Sequence, residues 1–168
     1  MGENVTTTLT AADIMQRDVV SVLRGNTLRD AMSLLTENHV TGLPVMDEMS
    51  RCIGLISATD ILNLEQEHSD ETQEGNAEVA QYYDSETEQW DTIRLSAFAL
   101  EHFGDVSVEQ VMASDLLWVE RDTPIQEVAA KMSESGVHRI LVLDELSRLY
   151  GIISAVDFVR IFAEGRMP

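Results

Sequence analysis

An α+β fold made from a duplicated strand-helix-strand-strand-helix unit is what this 168-residue sequence predicts. Two observations carry that prediction. The stretch Gly54-Leu55-Ile56-Ser57-Ala58-Thr59-Asp60 returns as Gly151-Ile152-Ile153-Ser154-Ala155-Val156-Asp157, with the same spacing and nearly the same letters. In the same gapless register Met15 falls on Met112, Asp18 on Asp115, Val45 on Val142, Asp47-Glu48 on Asp144-Glu145, and Ser50-Arg51 on Ser147-Arg148. That is the mark of an internal repeat.

The elements follow in order. Thr10 to Asp13 and Ser107 to Gln110 each resemble a capping box opening a short helical turn that ends at Met15 or Met112. Val19 to Val22 and Leu116 to Val119 read as short strands. Thr123-Pro124 is a good helix start, Thr as N-cap and Pro in the first turn, and Asn26-Thr27 serves the first copy. Leu28, Ala31, Met32 and Leu35 then recur at helical spacing, as do Ile125, Val128, Ala129 and Met132. A second strand follows (Leu43 to Met46, Ile140 to Leu143), then a polar turn and a third strand (Cys52 to Ile56, Leu149 to Ile153). The short connection makes each pair an antiparallel hairpin. A helix from Ser57 or Ser154 closes each unit, its apolar face supplied by Ile61 and Leu62 or by Phe158, Val159, Ile161 and Phe162.

The expected organisation is an N-terminal tail over 1–10, a first repeat over 11–67, an insert over 68–105 and a second repeat over 106–168, the two repeats forming one module. Glu65 to Glu88 is acidic and poor in apolar residues, so a solvated loop is expected there. Ile93, Leu95, Phe98, Leu100 and Phe103 predict a helix that docks on the module or a partner.

Composition narrows the function. A formal net charge of −19, with Lys131 the single lysine, argues against nucleic acid or an anionic membrane surface as partner. An anionic ligand must be held by local arginines, histidines and backbone amides against an unfavourable global field. No apolar run approaches the ~18 residues that span a bilayer. The start lacks the basic and apolar regions of a signal peptide. Cys52 is the single cysteine, so no disulfide framework is expected and a cytoplasmic location is the default. His39, His68, His102 and His138 are scattered without metal-ligand spacing, and no nucleophile elbow or phosphate-cradling glycine loop occurs. We expect no catalytic residue, no metal and no required cofactor.

With Asp13-Ile14-Met15, the run His39-Val40-Thr41-Gly42-Leu43-Pro44-Val45 and Gly136-Val137-His138-Arg139-Ile140, the duplicated G-h-h-S-x-x-D unit resembles the cystathionine-β-synthase (CBS) domain family. Its members occur in pairs called Bateman modules. The resemblance implies tandem repeats packed with pseudo-twofold symmetry, leaving two clefts that take adenosine-containing ligands such as AMP, ADP, ATP or S-adenosylmethionine. It also implies a homodimer through the helices and a regulatory output through oligomer state or an effector protein. The alternative is a ligand-free dimerisation or protein-interaction module. For the preferred cleft it implies Ser154 and Asp157 on phosphate and ribose, His138 and Arg139 near the phosphates, and Asn26, Ala31, Val40 and Thr41 lining the sugar and adenine. The second cleft would use Ser57 and Asp60 with Thr123, Val128 and Val137; here Thr41 and Gly42 stand where the first has its His-Arg pair.

The residue types suit those roles. An ionised aspartate accepts two hydrogen bonds from paired ribose hydroxyls, and a serine at a helix start sits in a partly positive field that favours a phosphate. Gly151, lacking a side chain, permits close approach. Ser-x-x-Asp ahead of an apolar helix face is equally a capping box, and the two roles are compatible.

Overall fold

A computed structural model describes residues 8–69, 78–84, 89–95 and 103–166. In chain order its elements are α1 (Ala11–Ile14), β1 (Val22–Leu23), α2 (Leu28–Glu37), β2 (Gly42–Met46), β3 (Cys52–Ser57), α3 (Ala58–Ser69), β4 (Glu78–Asp84), β5 (Gln89–Leu95), a 3₁₀ turn (Val108–Gln110), β6 (Trp118–Val119), α4 (Ile125–Ser135), β7 (Arg139–Leu143), β8 (Leu149–Ser154) and α5 (Ala155–Ala163). They fall into two compact units, one of Val20–Leu116 and one of Met1–Val19 with Leu117–Pro168. Each is described by itself.

In the Val20–Leu116 unit, α2 begins because Thr27 and Asp30 cap it reciprocally. The Thr27 hydroxyl accepts the Asp30 N–H at 3.2 Å, and the Asp30 carboxylate accepts the Thr27 N–H at 2.8 Å. Leu28, Ala31 and Leu35 face inward and are buried. The helix ends at Asn38, and His39 follows with φ 53. The sheet runs β1-β2-β3. β1 is parallel to β2, with Val22 opposite Val45, and β2 is antiparallel to β3, with Gly42 opposite Ser57. Leu28, Ala31, Leu35, Leu43, Val45, Ile56, Ile61, Phe103 and Val108 form the core.

The unit containing Leu117–Pro168 repeats this plan. Its sheet runs β6-β7-β8 with matching register, Trp118 opposite Leu141 and Arg139 opposite Ser154. Even the irregularity recurs, between Val45 and Met46 in one sheet and Val142 and Leu143 in the other. Ile14, Val119, Ile125, Val128, Met132, Ile140, Val142, Ile153 and Ile161 make its core. α4 stops at Gly136, whose φ of 63 is the left-handed conformation glycine adopts without strain. Its start differs from expectation: Pro124 occupies the N-cap position, where no side chain supplies a cap bond. β1 and β6 are also two residues each, shorter than the four-residue strands foreseen.

The segment leading into each repeat is built into the unit of the other. Leu9 to Gln16 belongs with the second repeat: Ile125 N–H donates to Leu9 C=O at 3.0 Å, and Gln16 and Ile152 exchange backbone hydrogen bonds at 2.9 and 3.0 Å. Phe103 to Ala113 belongs with the first: Leu28 N–H donates to Val106 C=O at 3.0 Å, and Leu55 and Ala113 exchange bonds at 2.9 Å each. These bridges cover the outer edges of β8 and β3, which would otherwise present unpaired backbone groups. They also explain the two glycines. A Cβ at Gly151 would lie 2.6 Å from the Gln16 carbonyl oxygen and 2.8 Å from the Met15 sulfur, and one at Gly54 would strike the Met112 thioether. The close approach foreseen at Gly151 is that of the chain's own Met15 and Gln16.

The insert departs most from expectation. α3 runs on to Ser69, and Glu78–Asp84 pairs antiparallel with Gln89–Leu95, Tyr83 opposite Trp90 and Ala80 opposite Ile93. The helix foreseen from Ile93 therefore is not formed where the chain is described: Ile93 and Leu95 are strand residues. Phe98 and Leu100 lie outside the described residues, as do 70–77 and 85–88 of the foreseen acidic loop. Phe103 is buried in the first core.

Candidate functional site

The duplicated Ser-x-x-Asp places a serine and a carboxylate at each corner where a sheet strand turns into a helix. In the second repeat, β8 ends at Ser154 with extended backbone and α5 begins at Ala155. Ser154 N–H and Oγ both donate to Asp157 Oδ2, at 2.8 and 2.9 Å. The Ser154 hydroxyl in turn receives the Asp157 N–H, completing a capping box. Ala155 N–H donates to His138 C=O at 3.0 Å, which ties the corner to the residue before β7. The phosphate seat foreseen at Ser154 is thus largely taken up by the helix cap.

The other carboxylate oxygen is also engaged. Gln16 Nε2 donates to Asp157 Oδ1 at 3.1 Å, and Arg160, one turn along α5, forms an ion pair with the same oxygen through Nη2. Four donors fill the roughly four acceptor positions a carboxylate offers. Asp157 is 1% exposed while the Arg160 side chain is 52% exposed. Hydrogen bonds to a charged group contribute about 1.5–3 kcal/mol each, but Gln16 and Arg160 are exposed residues and add less, so the Ser154 bonds do most to hold the corner. Gln16 and Arg160 are the residues sequence reasoning missed. Arg160 could have been found at i+3 from Asp157 on a helix; Gln16 carries no sequence signal, because its partner lies far along the chain.

The first repeat builds the same cap without those additions. Ser57 N–H and Oγ donate to Asp60 Oδ2 at 2.7 and 2.6 Å, and Asp60 N–H donates back to Ser57 Oγ at 3.2 Å. Ala58 N–H donates to Thr41 C=O at 3.1 Å. Asn63 stands where the other corner has Arg160, and Ala113 where it has Gln16. Among the described residues nothing hydrogen-bonds Asp60 Oδ1, and the residue is half-buried.

The remaining sequence-chosen residues divide. His138 is exposed and Arg139 half-buried at the start of β7, next to Ser154 in register. Thr41 and Gly42 hold the equivalent place beside Ser57. Val40 and Val137 are half-buried and pack against the cores of their own units. Ala31 and Val128 are corrections: both are fully buried inward-facing helix residues, so neither side chain can line a cleft. Asn26 is a further one. Because β1 runs parallel to β2, Asn26 lies beyond Leu23 and Met46, at the end of the sheet remote from Thr41 and Ser57. Its carboxamide accepts Leu23 N–H at 3.1 Å and donates to Asp30 at 3.3 Å, serving the α2 cap. Thr123 lies likewise beyond Val119, at the end remote from Val137. No group of three or more His, Cys, Asp or Glu side chains able to hold a metal stands together among the described residues.

Comparison with known proteins supplies the family. The CBS domain model matches twice, over 11–67 and 108–164. The chain is 29% identical to the chloroplastic CBS domain-containing protein CBSX1 of Arabidopsis thaliana over 145 residues, covering 86% of this chain and 59% of that one. Among solved structures, CBSX2 in complex with AMP is 24% identical, with a TM-score of 0.67 over 94% of this chain and 98% of that one. The CBS domain pair of protein MJ0100 in complex with 5′-methylthioadenosine and S-adenosyl-L-methionine is 18% identical, with a TM-score of 0.65 over 94% and 98%. With two family matches on two repeats of one fold, the chain belongs to the CBS domain family, as a tandem pair of the Bateman type.

Proposed function

We propose that the chain is a regulatory module that binds an adenosine-containing ligand (AMP, ADP, ATP or S-adenosylmethionine) at its Ser-x-x-Asp corners and relays binding through its own oligomer or an effector protein. The observation that carries the reading is the duplicated corner, a helix start with a carboxylate beside it, whose first-repeat copy has one carboxylate oxygen that no described residue hydrogen-bonds. A vicinal diol offers two O–H donors to such a carboxylate. The ligands held by CBSX2 and by the MJ0100 pair have in common an adenosine portion, which carries that diol. His138 and Arg139 beside Ser154 suit a phosphorylated ligand, and Thr41 and Gly42 beside Ser57 suit one with less negative charge. The role is binding rather than catalysis, and it needs no resident cofactor.

Thermal unfolding with AMP, ADP, ATP, S-adenosylmethionine and NAD, with and without magnesium, tests it. A ligand at ~100 times its Kd should add about 2.7 kcal/mol. No shift with any of them defeats the reading and leaves a ligand-free association module.

One observation favours self-association in either case. Val156, Val159 and Phe162 lie at i, i+3 and i+6 of α5 and are 45%, 66% and 70% exposed, a stripe of apolar surface without cover in the single chain. We assign it to a homodimer. Phe162→Glu should convert the dimer to a monomer in light scattering; an unchanged mass would overturn the assignment.

A further inference from the structure

The two corners share a cap but differ in what reaches the second carboxylate oxygen. Gln16 and Arg160 occupy it at Asp157, whereas Ala113 and Asn63 hold the corresponding places at Asp60, where no described residue hydrogen-bonds that oxygen. Asp157 is sealed, yet both of its extra partners are on exposed residues, free to swing into water. We propose that Gln16 and Arg160 form a latch on Asp157, so that a diol-bearing ligand must displace them there, while the Asp60 corner accepts the same ligand directly. The inference rests on the reading that these carboxylates receive a ribose. It reverses the order in which the corners fill for an uncharged nucleoside: the corner flanked by His138 and Arg139 is the closed one.

The test uses adenosine, which carries the diol without a phosphate for His138 or Arg139 to attract, titrated calorimetrically into the full chain. The unaltered protein should bind one adenosine per chain, and Asp60→Asn should abolish that binding. In the Asp60→Asn chain, Gln16→Ala with Arg160→Asn turns the Asp157 corner into a copy of its twin. It should restore one adenosine per chain, at an affinity at least about tenfold above the Asp60→Asn parent. The converse change, Ala113→Gln with Asn63→Arg in the otherwise unaltered chain, should weaken adenosine by a similar factor. It guards against a release variant that fails to fold, which its melting curve would reveal. If the unaltered chain binds adenosine but release gives no gain and the converse pair no loss, the latch is wrong and the ligand reading stands. If no chain binds adenosine or AMP at all, the ligand reading falls and the latch with it.

Discussion

Asp157 and Asp60 cap their helices with the same three contacts to a serine, yet Gln16 and Arg160 also reach Asp157, while among the described residues nothing bonds the second oxygen of Asp60. Local sequence sets the cap, because a serine and an aspartate three residues apart at a helix start satisfy the orphan N–H groups wherever they occur. What else the carboxylate does depends on the residue opposite it. Gln16 against Ala113 is a difference in the segment leading into each repeat, and Arg160 against Asn63 a difference one helical turn on. Duplicated motifs therefore need not be duplicated sites. By neighbouring residues the Asp157 corner ranks first, with His138 and Arg139 beside it; by hydrogen bonds among the described residues the Asp60 corner does.

The comparison can be pressed hardest through the two glycines. Gly151→Ala places a Cβ against the Gln16 carbonyl, backbone that cannot step aside, and should cost about 2–3 kcal/mol in chemical denaturation. Gly54→Ala meets mainly the Met112 side chain, which can repack, and should cost about 1 kcal/mol. Equal losses would mean that the two leading segments are held equally loosely. Next in size is the cation pair. In the Asp60→Asn chain that also carries Gln16→Ala and Arg160→Asn, where adenosine is expected at the Asp157 corner, His138→Thr with Arg139→Gln should weaken AMP about tenfold and leave adenosine unchanged. A parallel loss of both ligands would show that the pair shapes the corner rather than receiving phosphate.

Smaller is the stability carried by the ion pair. Arg160→Asn should lower unfolding free energy by roughly 0.5–1 kcal/mol at low salt, and less at high salt, since the guanidinium is half in water. Asn63→Arg should return part of that amount in the first repeat. A salt-independent Arg160→Asn effect would point to packing rather than charge.

Least of all is the effect of the two hairpin turns, read through pH. Backbone N–H bonds from Arg51 and Arg148 are the main reason that Asp47 and Asp144 sit below the usual carboxylate range. A carboxyl whose pKa is depressed by folding contributes stability above its unfolded value near 3.9, and that contribution is lost as pH falls through the lower folded value. Asp47→Asn and Asp144→Asn should thus be less stable than the parent at pH 6, and the gap should close below about pH 3.9. Asp47 also holds the Arg51 guanidinium at 2.7 and 2.8 Å where the side-chain partner of Asp144 is the Tyr150 hydroxyl at 3.4 Å, so its gap should be the larger. A gap that persists in acid would locate the effect in the unfolded chain.

Most of the repeat could be read before any contact was known. The helical spacing of Leu28, Ala31 and Leu35 and the caps at Thr10, Thr27 and Ser154 are short-range patterns, and the structure reproduces them. The insert differs from the expectation because acidity suggests a loop and apolar residues at these spacings suggest a helix face. Tyr82, Tyr83, Trp90, Thr92 and Ile93 are good strand formers, but two such strands are stable only as a pair, and pairing is not a local property. Ala31 and Val128 enter as cleft residues from the resemblance alone; a period of 3.6 already puts both on a core face, and both are buried there.

Residue order alone, then, settles the duplication, the element types of the two repeats and the Ser-x-x-Asp cap chemistry, because each depends on neighbours within a few positions. Contact in three dimensions decided that Met15 and Gln16 lie on the second repeat, Met112 and Ala113 on the first, and that Gln16 and Arg160 meet at Asp157. Those outcomes depend on segments far apart in the chain meeting at a glycine or a carboxylate, and no local pattern records such a meeting.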